Sequence, residues 1–216
     1  MPSLEQRFQT DATVLLSAST VSTSPEQSIN QLWDELRGYY SEDKRAYHNL
    51  QHLENLFTLF DEYQDQLNDP TVVVWAIWYH DIIYNAKRKN NELRSAELAQ
   101  QRLVQLEMPE EQIKQVVSYI EATAQHLSVE ATGDLAYFLD FDLAILGSDR
   151  ETYSTYAQAV RQEYRHVLGF LYRRGRRRVL RYFMEAPQLF RTPQLKARFE
   201  EVARKNMSWE LKSGLR

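Results

Sequence analysis

Apolar residues recur along this chain at intervals of three and four, the spacing that gathers them on one face of an α-helix. In "SPEQSINQLWDELRGYY", Ile29, Leu32, Trp33 and Leu36 keep that period. Ser24 precedes them as an N-cap, Pro25 takes the first helical position and Glu26 stands in the first turn. "DPTVVVWAIWYHD" repeats the device with Asp69 as cap and Pro70 after it. Its Val72–Val74 run also suits a buried strand, and the cap, the length and the helical neighbours favour a buried helix. "NNELRSAELAQQRLVQLE", "MPEEQIKQVVSYIEATAQ", "DRETYSTYAQAVRQEYRHV" and "TPQLKARFEEVARKNMSWEL" are amphipathic at the same period. Asn-Gly turns, regular strand spacing and internal repeats are lacking. The pattern predicts an all-α fold of about eight to ten helices. It reads as one domain over residues 24–212, with residues 1–23 a looser lead-in and "KSGLR" a frayed end.

Composition narrows the setting. The 216 residues, 43% hydrophobic and 26% charged, are enough for a sizeable core. With no cysteine there is no disulfide, thiolate metal site or cysteine nucleophile, which fits a reducing cytoplasm. Glu5, Arg7 and Asp11 precede "VLLSASTV", too short and too polar a stretch for a signal peptide. No apolar run approaches the ~20 residues needed to span a bilayer. The expectation is a cytoplasmic protein without a membrane partner.

A net charge of −4 argues against general nucleic-acid affinity. "YRRGRRRVLRYF" concentrates arginines from Arg173 to Arg181, which match phosphate oxygens in principle. Without a nucleic-acid motif or interleaved exposed aromatics, the stretch reads as a basic helix balanced by Glu163 and Glu185, so nucleic acid is not an expected partner. The tyrosines and tryptophans fit either aromatic packing or a homo-oligomer interface.

The candidate chemistry lies elsewhere. In "AYHNLQHLENL", His48 and His52 are four residues apart and would share a helical face. Downstream, His80-Asp81 ends a very apolar helix, where a buried carboxylate costs several kcal/mol unless paired or metal-bound. Asp140 and Asp142 sit inside the apolar stretch "YFLDFDLAILG". Each piece alone is ordinary: His-x-x-x-His arises from helical spacing, and Asp-x-Asp is common capping chemistry. Together, two imidazoles and two carboxylates make a mixed N/O set suited to a divalent Mn, Fe, Co, Zn or Mg ion.

His52, His80-Asp81 and Asp142, in that order in a helical chain, resemble the H…HD…D signature of the HD superfamily of metal-dependent phosphohydrolases. "HLENLFTLF" is similar to the helix of the first ligand, and "FDLAIL" to the element of the last, over about residues 45–150. The resemblance implies an HD-type helical domain with a C-terminal helical extension. It implies His52, His80, Asp81 and Asp142 as metal ligands, with Asp140 competing for the fourth place. "YHNLQH" is also similar to a stretch of the cyclic-nucleotide phosphodiesterases, which makes His48 a proton donor to the leaving oxygen; the further signatures of those enzymes are lacking. His126 stands where some branches place a second-metal or substrate histidine, or else it is an exposed helix-end residue. His166 reads as surface or packing.

The implied activity is hydrolysis of a phosphomonoester or phosphodiester by metal-activated water, with a small phosphorylated substrate, nucleotides among the candidates. "YNAKRKNNELRSAE" supplies Lys87, Arg88, Lys89 and Asn91 as a solvated loop and helix start, with Asn91 as cap. Glu92 and Arg94 from the same stretch are the further catalytic candidates. Two alternatives stand beside this reading: a di-iron HD-type oxygenase, for which about six ligands are needed and histidines are scarce, and a non-catalytic helical binding module with a vestigial site.

Overall fold

The computed structural model describes residues 2–17, 25–127 and 129–213, and the all-α expectation holds: these residues form ten α-helices and no strand. The chain divides into two compact units, Met1–Ala124 and Gln125–Arg216, where the sequence pattern suggested one domain. Periodicity predicts helices but not which of them pack into one unit.

The first unit holds α1 (Leu4–Ser17), α2 (Pro25–Tyr40), α3 (Leu50–Tyr63), α4 (Pro70–Tyr79), α5 (Asn91–Gln105) and α6 (Glu110–Ala122). Helix α4 is apolar on every side, and all residues from Val72 to Tyr79 are buried, which makes it the axis of the unit. It packs against α3, α5 and α6. Asp69 accepts a hydrogen bond from the Val72 amide at its start, so Val72–Val74 is helix and not strand. Ser24, the expected cap of α2, lies outside the described residues, as do residues 214–216 of "KSGLR".

The expected lead-in, residues 1–23, contains a packed helix instead. Phe8 and Ala12 of α1 are fully buried. The Phe8 ring meets Trp75 and Trp78 edge-on at 5.6 and 5.3 Å. Arg7 pairs with Asp61 and lies over Phe57, and Asp11 accepts a hydrogen bond from Trp78 Nε1 at 2.9 Å. The spacing Phe8, Ala12, Leu15 carried this signal, but the polar residues between them masked it.

The second unit holds α7 (Gly133–Leu143), α8 (Arg150–Glu163), α9 (Gly169–Glu185) and α10 (Pro193–Ser213), with a 3-10 turn at Ala144–Gly147. Side chains of α10 tie it together. Asn206 donates to the carbonyls of Leu146 and Ser148 at 2.9 and 2.8 Å. Gly147 lies so close to α10 that a Cβ there would come within 2.6 Å of Phe199 Cβ, so only glycine fits. Buried Glu210 receives a two-pronged bond from Arg176 at 2.9 and 3.0 Å, and Tyr153 donates to it at 2.6 Å. No helix among the described residues is long and apolar enough to cross a membrane.

Burial pushes the Asp11 carboxyl up to about 6, against the opposing pull of its bond from Trp78 and of the Arg7 charge. The fold therefore favours the protonated acid. That contribution is fully present below the ordinary carboxyl range and is lost as pH rises through about 6. Asp11→Asn should raise the melting temperature at pH 8, by up to about 2 kcal/mol in stability. The gain should shrink through pH 6 and vanish near pH 3.5, as read by thermal unfolding across that range.

Candidate metal centre

His52, His80 and Asp81 come together in the first unit from two helices distant in sequence. Asn49 builds one side. It takes the N-cap of α3, its side-chain oxygen accepting from Gln51 N at 3.0 Å and its amide donating to Ala46 O at 3.1 Å. His52 then falls in the first turn with its ring buried. Because α3 begins at Leu50, His48 stands in the bend before the helix, and the expected shared helical face for His48 and His52 is corrected. The two rings still come within 6.0 Å of each other, brought there by the bend.

The other side is the end of α4. His80 occupies its C-cap, and the ring hydrogen-bonds through Nδ1 to Ile77 O at 2.9 Å. Only an Nδ1–H donor can satisfy that carbonyl, which leaves the His80 Nε2 lone pair facing inward. His52 Nε2 lies 3.0 Å from it. Asp81 Oδ2 is 3.3 Å from His80 Nε2 and 3.7 Å from His52 Nε2. A circle through these three atoms has a radius of about 2 Å, the length of a bond from nitrogen or oxygen to a divalent transition metal. Both imidazoles are almost fully buried, while the Asp81 side chain is 17% exposed. The group can hold a metal ion, and it is the one group of three or more such ligands that converges among the described residues.

Arg45, which motif reading passed over, holds this arrangement in place. Its side chain is fully buried. Nη1 donates to the carbonyls of Asp81 and His48 at 2.7 and 3.1 Å, Nη2 donates to Ile82 O at 2.6 Å, and Nε donates to Glu42 at 3.1 Å. The guanidinium also lies over the rings of Tyr40 and Tyr84. One cation thus fastens the bend before α3 to the loop after α4. No local signal separates such an arginine from a surface one.

His48 lies at the open edge. Its ring stacks on Tyr84 at 4.1 Å, and Nε2 is 3.9 Å from Asp81 Oδ2. Tyr47 packs against both His48 and His52 at 4.9 Å. The loop that follows is closed by α5. Asn91 accepts from Asn85 N and donates to Asn85 O, both at 3.1 Å, and Ser95 Oγ accepts from Ile83 N at 3.1 Å. Asn91 is therefore a buried loop clamp, and the cap position of α5 belongs to Asn90. Lys87, Arg88 and Lys89 are exposed, as expected of a solvated loop. Glu92 and Arg94 are half-buried at the start of α5, and Glu92 is not one of the converging ligands.

The remaining candidates belong to the second unit. Asp140 is fully buried and committed to structure: it accepts from the amides of Arg191 and Thr192 and from the Thr192 hydroxyl, at 2.8 to 3.0 Å. Burial pushes its carboxyl up, and those donors pull the other way. Asp142 Oδ2 pairs with His126 Nε2 at 2.7 Å, and the His126 carbonyl accepts from Arg191. His126 is thus neither a bare surface residue nor part of the converging group. His166 is exposed, stacked loosely on Tyr164.

Comparison of the chain with models of known families, with curated proteins and with solved structures found no match.

Arg45→Met removes a cation that satisfies three carbonyls at once. It should destabilise the protein by about 3 kcal/mol, measured by urea unfolding. At a urea-free temperature where the variant remains folded, metal retention should also fall, because the His48 bend and the Asp81 loop are no longer fastened together.

Proposed function

We propose that the protein is a metal-dependent phosphohydrolase acting on a phosphomonoester or phosphodiester. The observation that carries the reading is the convergence of His52 Nε2, His80 Nε2 and Asp81 Oδ2, two imidazoles and a carboxylate within one ion's reach. Its support is chemical: a three-sided N/O donor set that leaves further coordination positions open is the arrangement of hydrolytic metal sites. When bound, a divalent ion at these residues supplies a Lewis acid for a phosphoryl oxygen and makes water acidic enough to act at neutral pH.

The chain's own groups complete the scheme. The His80 Nδ1 bond to Ile77 O fixes the tautomer that presents Nε2, so the donor set is ready without rearrangement. His48, held by the stack on Tyr84 at the accessible edge, is assigned the proton at Nε2 that passes to the leaving alkoxide. Glu92 is assigned to take a proton from water and Arg94 to hold phosphoryl oxygens, both from the helix start that Asn91 and Ser95 fasten to the site loop. The substrate class is a small phosphorylated molecule, with nucleotides first in the screen.

Two measurements test this reading. Metal per chain, after manganese loading and desalting, should be close to one ion for the wild type and be lost in Asp81→Ala. Hydrolysis of p-nitrophenyl phosphate and of bis(p-nitrophenyl) phosphate should depend on the metal and fall more than about a hundredfold in that variant. His48→Ala should keep its metal and lose about a hundredfold in kcat on alkyl esters. It should lose much less on nitrophenyl esters, whose leaving group needs no proton. Two irons per chain would favour the di-iron oxygenase instead, and a protein that retains no metal at saturating concentration would sink the hydrolase.

A further inference from the structure

We propose that the outer face of α9 in the second unit binds single-stranded nucleic acid, with phosphates on arginine forks and bases on exposed rings. On sequence alone this stretch reads as a basic helix without exposed aromatics, balanced by Glu163 and Glu185. The structure alters both premises. Phe170 is 61% exposed and Tyr182 48% exposed, on the same helix as the arginines. Glu163 is buried, and none of Arg173, Arg174, Arg177, Arg178 and Arg181 forms an ion pair with a carboxylate among the described residues. Only Arg176 is neutralised, by Glu210. Arg177 reaches a neutral acceptor, the carbonyl of Leu211, at 3.0 Å. All five unneutralised arginines are exposed.

The order of these residues gives the surface its specificity. Phe170, Arg174, Arg178 and Tyr182 are each four residues apart, so they form one row along the helix with members ~6 Å from one another. That interval is close to the separation of successive phosphates in an unstacked single strand. A row of ring, cation, cation, ring offers two phosphate sites between two stacking platforms, the combination that holds single strands without sequence preference. Beside the row lies an open cleft of about 920 Å³ lined by six arginines and the rings of Phe170, Tyr172 and Tyr182, with two carboxylates, Glu185 and the Arg176-paired Glu210, at its wall. Tyr172 is 8% exposed, and its hydroxyl has no hydrogen-bond partner among the described residues. The hydroxyl itself is closed off from solvent, so Tyr172 shapes the floor of the cleft and makes no contact with a strand lying in it.

A membrane surface fits less well. A helix lying in a bilayer interface separates its apolar and basic residues onto opposite faces. Here two rings flank two arginines in one row, and Glu185 stands beside them. The protein's overall charge of −4 makes this a local patch and not a general polyanion surface.

The test is fluorescence anisotropy of the full chain with a labelled oligouridylate, across a series of salt concentrations. The wild type should bind with a slope of about −1.4 in log affinity against log salt, as two phosphate contacts on a single strand require. Arg174→Gln with Arg178→Gln should cut affinity more than about tenfold and reduce the slope by more than one unit. Phe170→Ala with Tyr182→Ala should cut affinity about tenfold or more and leave the slope unchanged, since stacking releases no counterions. These side chains are exposed, and circular dichroism of the variants should show unchanged helix content. Asp81→Ala should bind as the wild type does, which separates this surface from the metal group. Absence of binding at low salt, indifference to both double variants, equal competition by polyglutamate, or adhesion to phosphatidylserine vesicles without oligonucleotide binding would each overturn the proposal.

Discussion

A single buried guanidinium sets the geometry of the first unit's chemistry. Arg45 carries a full charge into a place where water does not reach, and an unpaired ion there would cost several kcal/mol. It is tolerated because every side of it is answered: carbonyls of His48, Asp81 and Ile82, the carboxylate of Glu42, and the faces of Tyr40 and Tyr84. Those carbonyls belong to two segments that would otherwise have no reason to stay in register. The side chains of His48 and Asp81 are thereby positioned through their own backbones. Rigid support of this kind is what separates a group of ligands that converges from one that merely lies nearby.

Much of this was legible in the sequence, for identifiable reasons. Helices α2 and α4 announced themselves through proline, cap and apolar period, α4 in particular through Asp69-Pro70, and α5, α6, α8 and α10 through their apolar period. The pairing of His52 with His80-Asp81 was implied by the H…HD resemblance, and the polar residues placed among apolar ones agreed with it. What escaped was the work of residues whose role depends on contacts across the chain. Asn49 reads as part of a histidine motif, yet its job is to start α3, and that one fact moves His48 off the helix. Asn91 reads as a cap and is a loop clamp. Asp140 and Asp142 look alike two residues apart. The structure separates them: one is saturated by amides at the start of α10, the other faces an imidazole.

The division into two units shapes how these parts are read. Each unit has its own buried polar anchor: Arg45 in the first, and Glu210 with Arg176 and Tyr153 in the second. In both, a charge is kept inside only where several donors or acceptors meet it, and in both the anchor joins elements far apart in sequence. The composition gave no hint of two centres of organisation, because net charge and hydrophobic fraction are averages over both.

Helix α9 contrasts with α4. In α4 every residue from Val72 to Tyr79 is inside, so nearly any change there disturbs packing. In α9 only Tyr172 and Leu180 are buried among seventeen positions. Its outer residues are therefore almost free of folding constraint. Over evolutionary time that face can gain or lose charge and rings while the fold stays the same, so the adhesive properties of the second unit can drift or be tuned independently of its architecture.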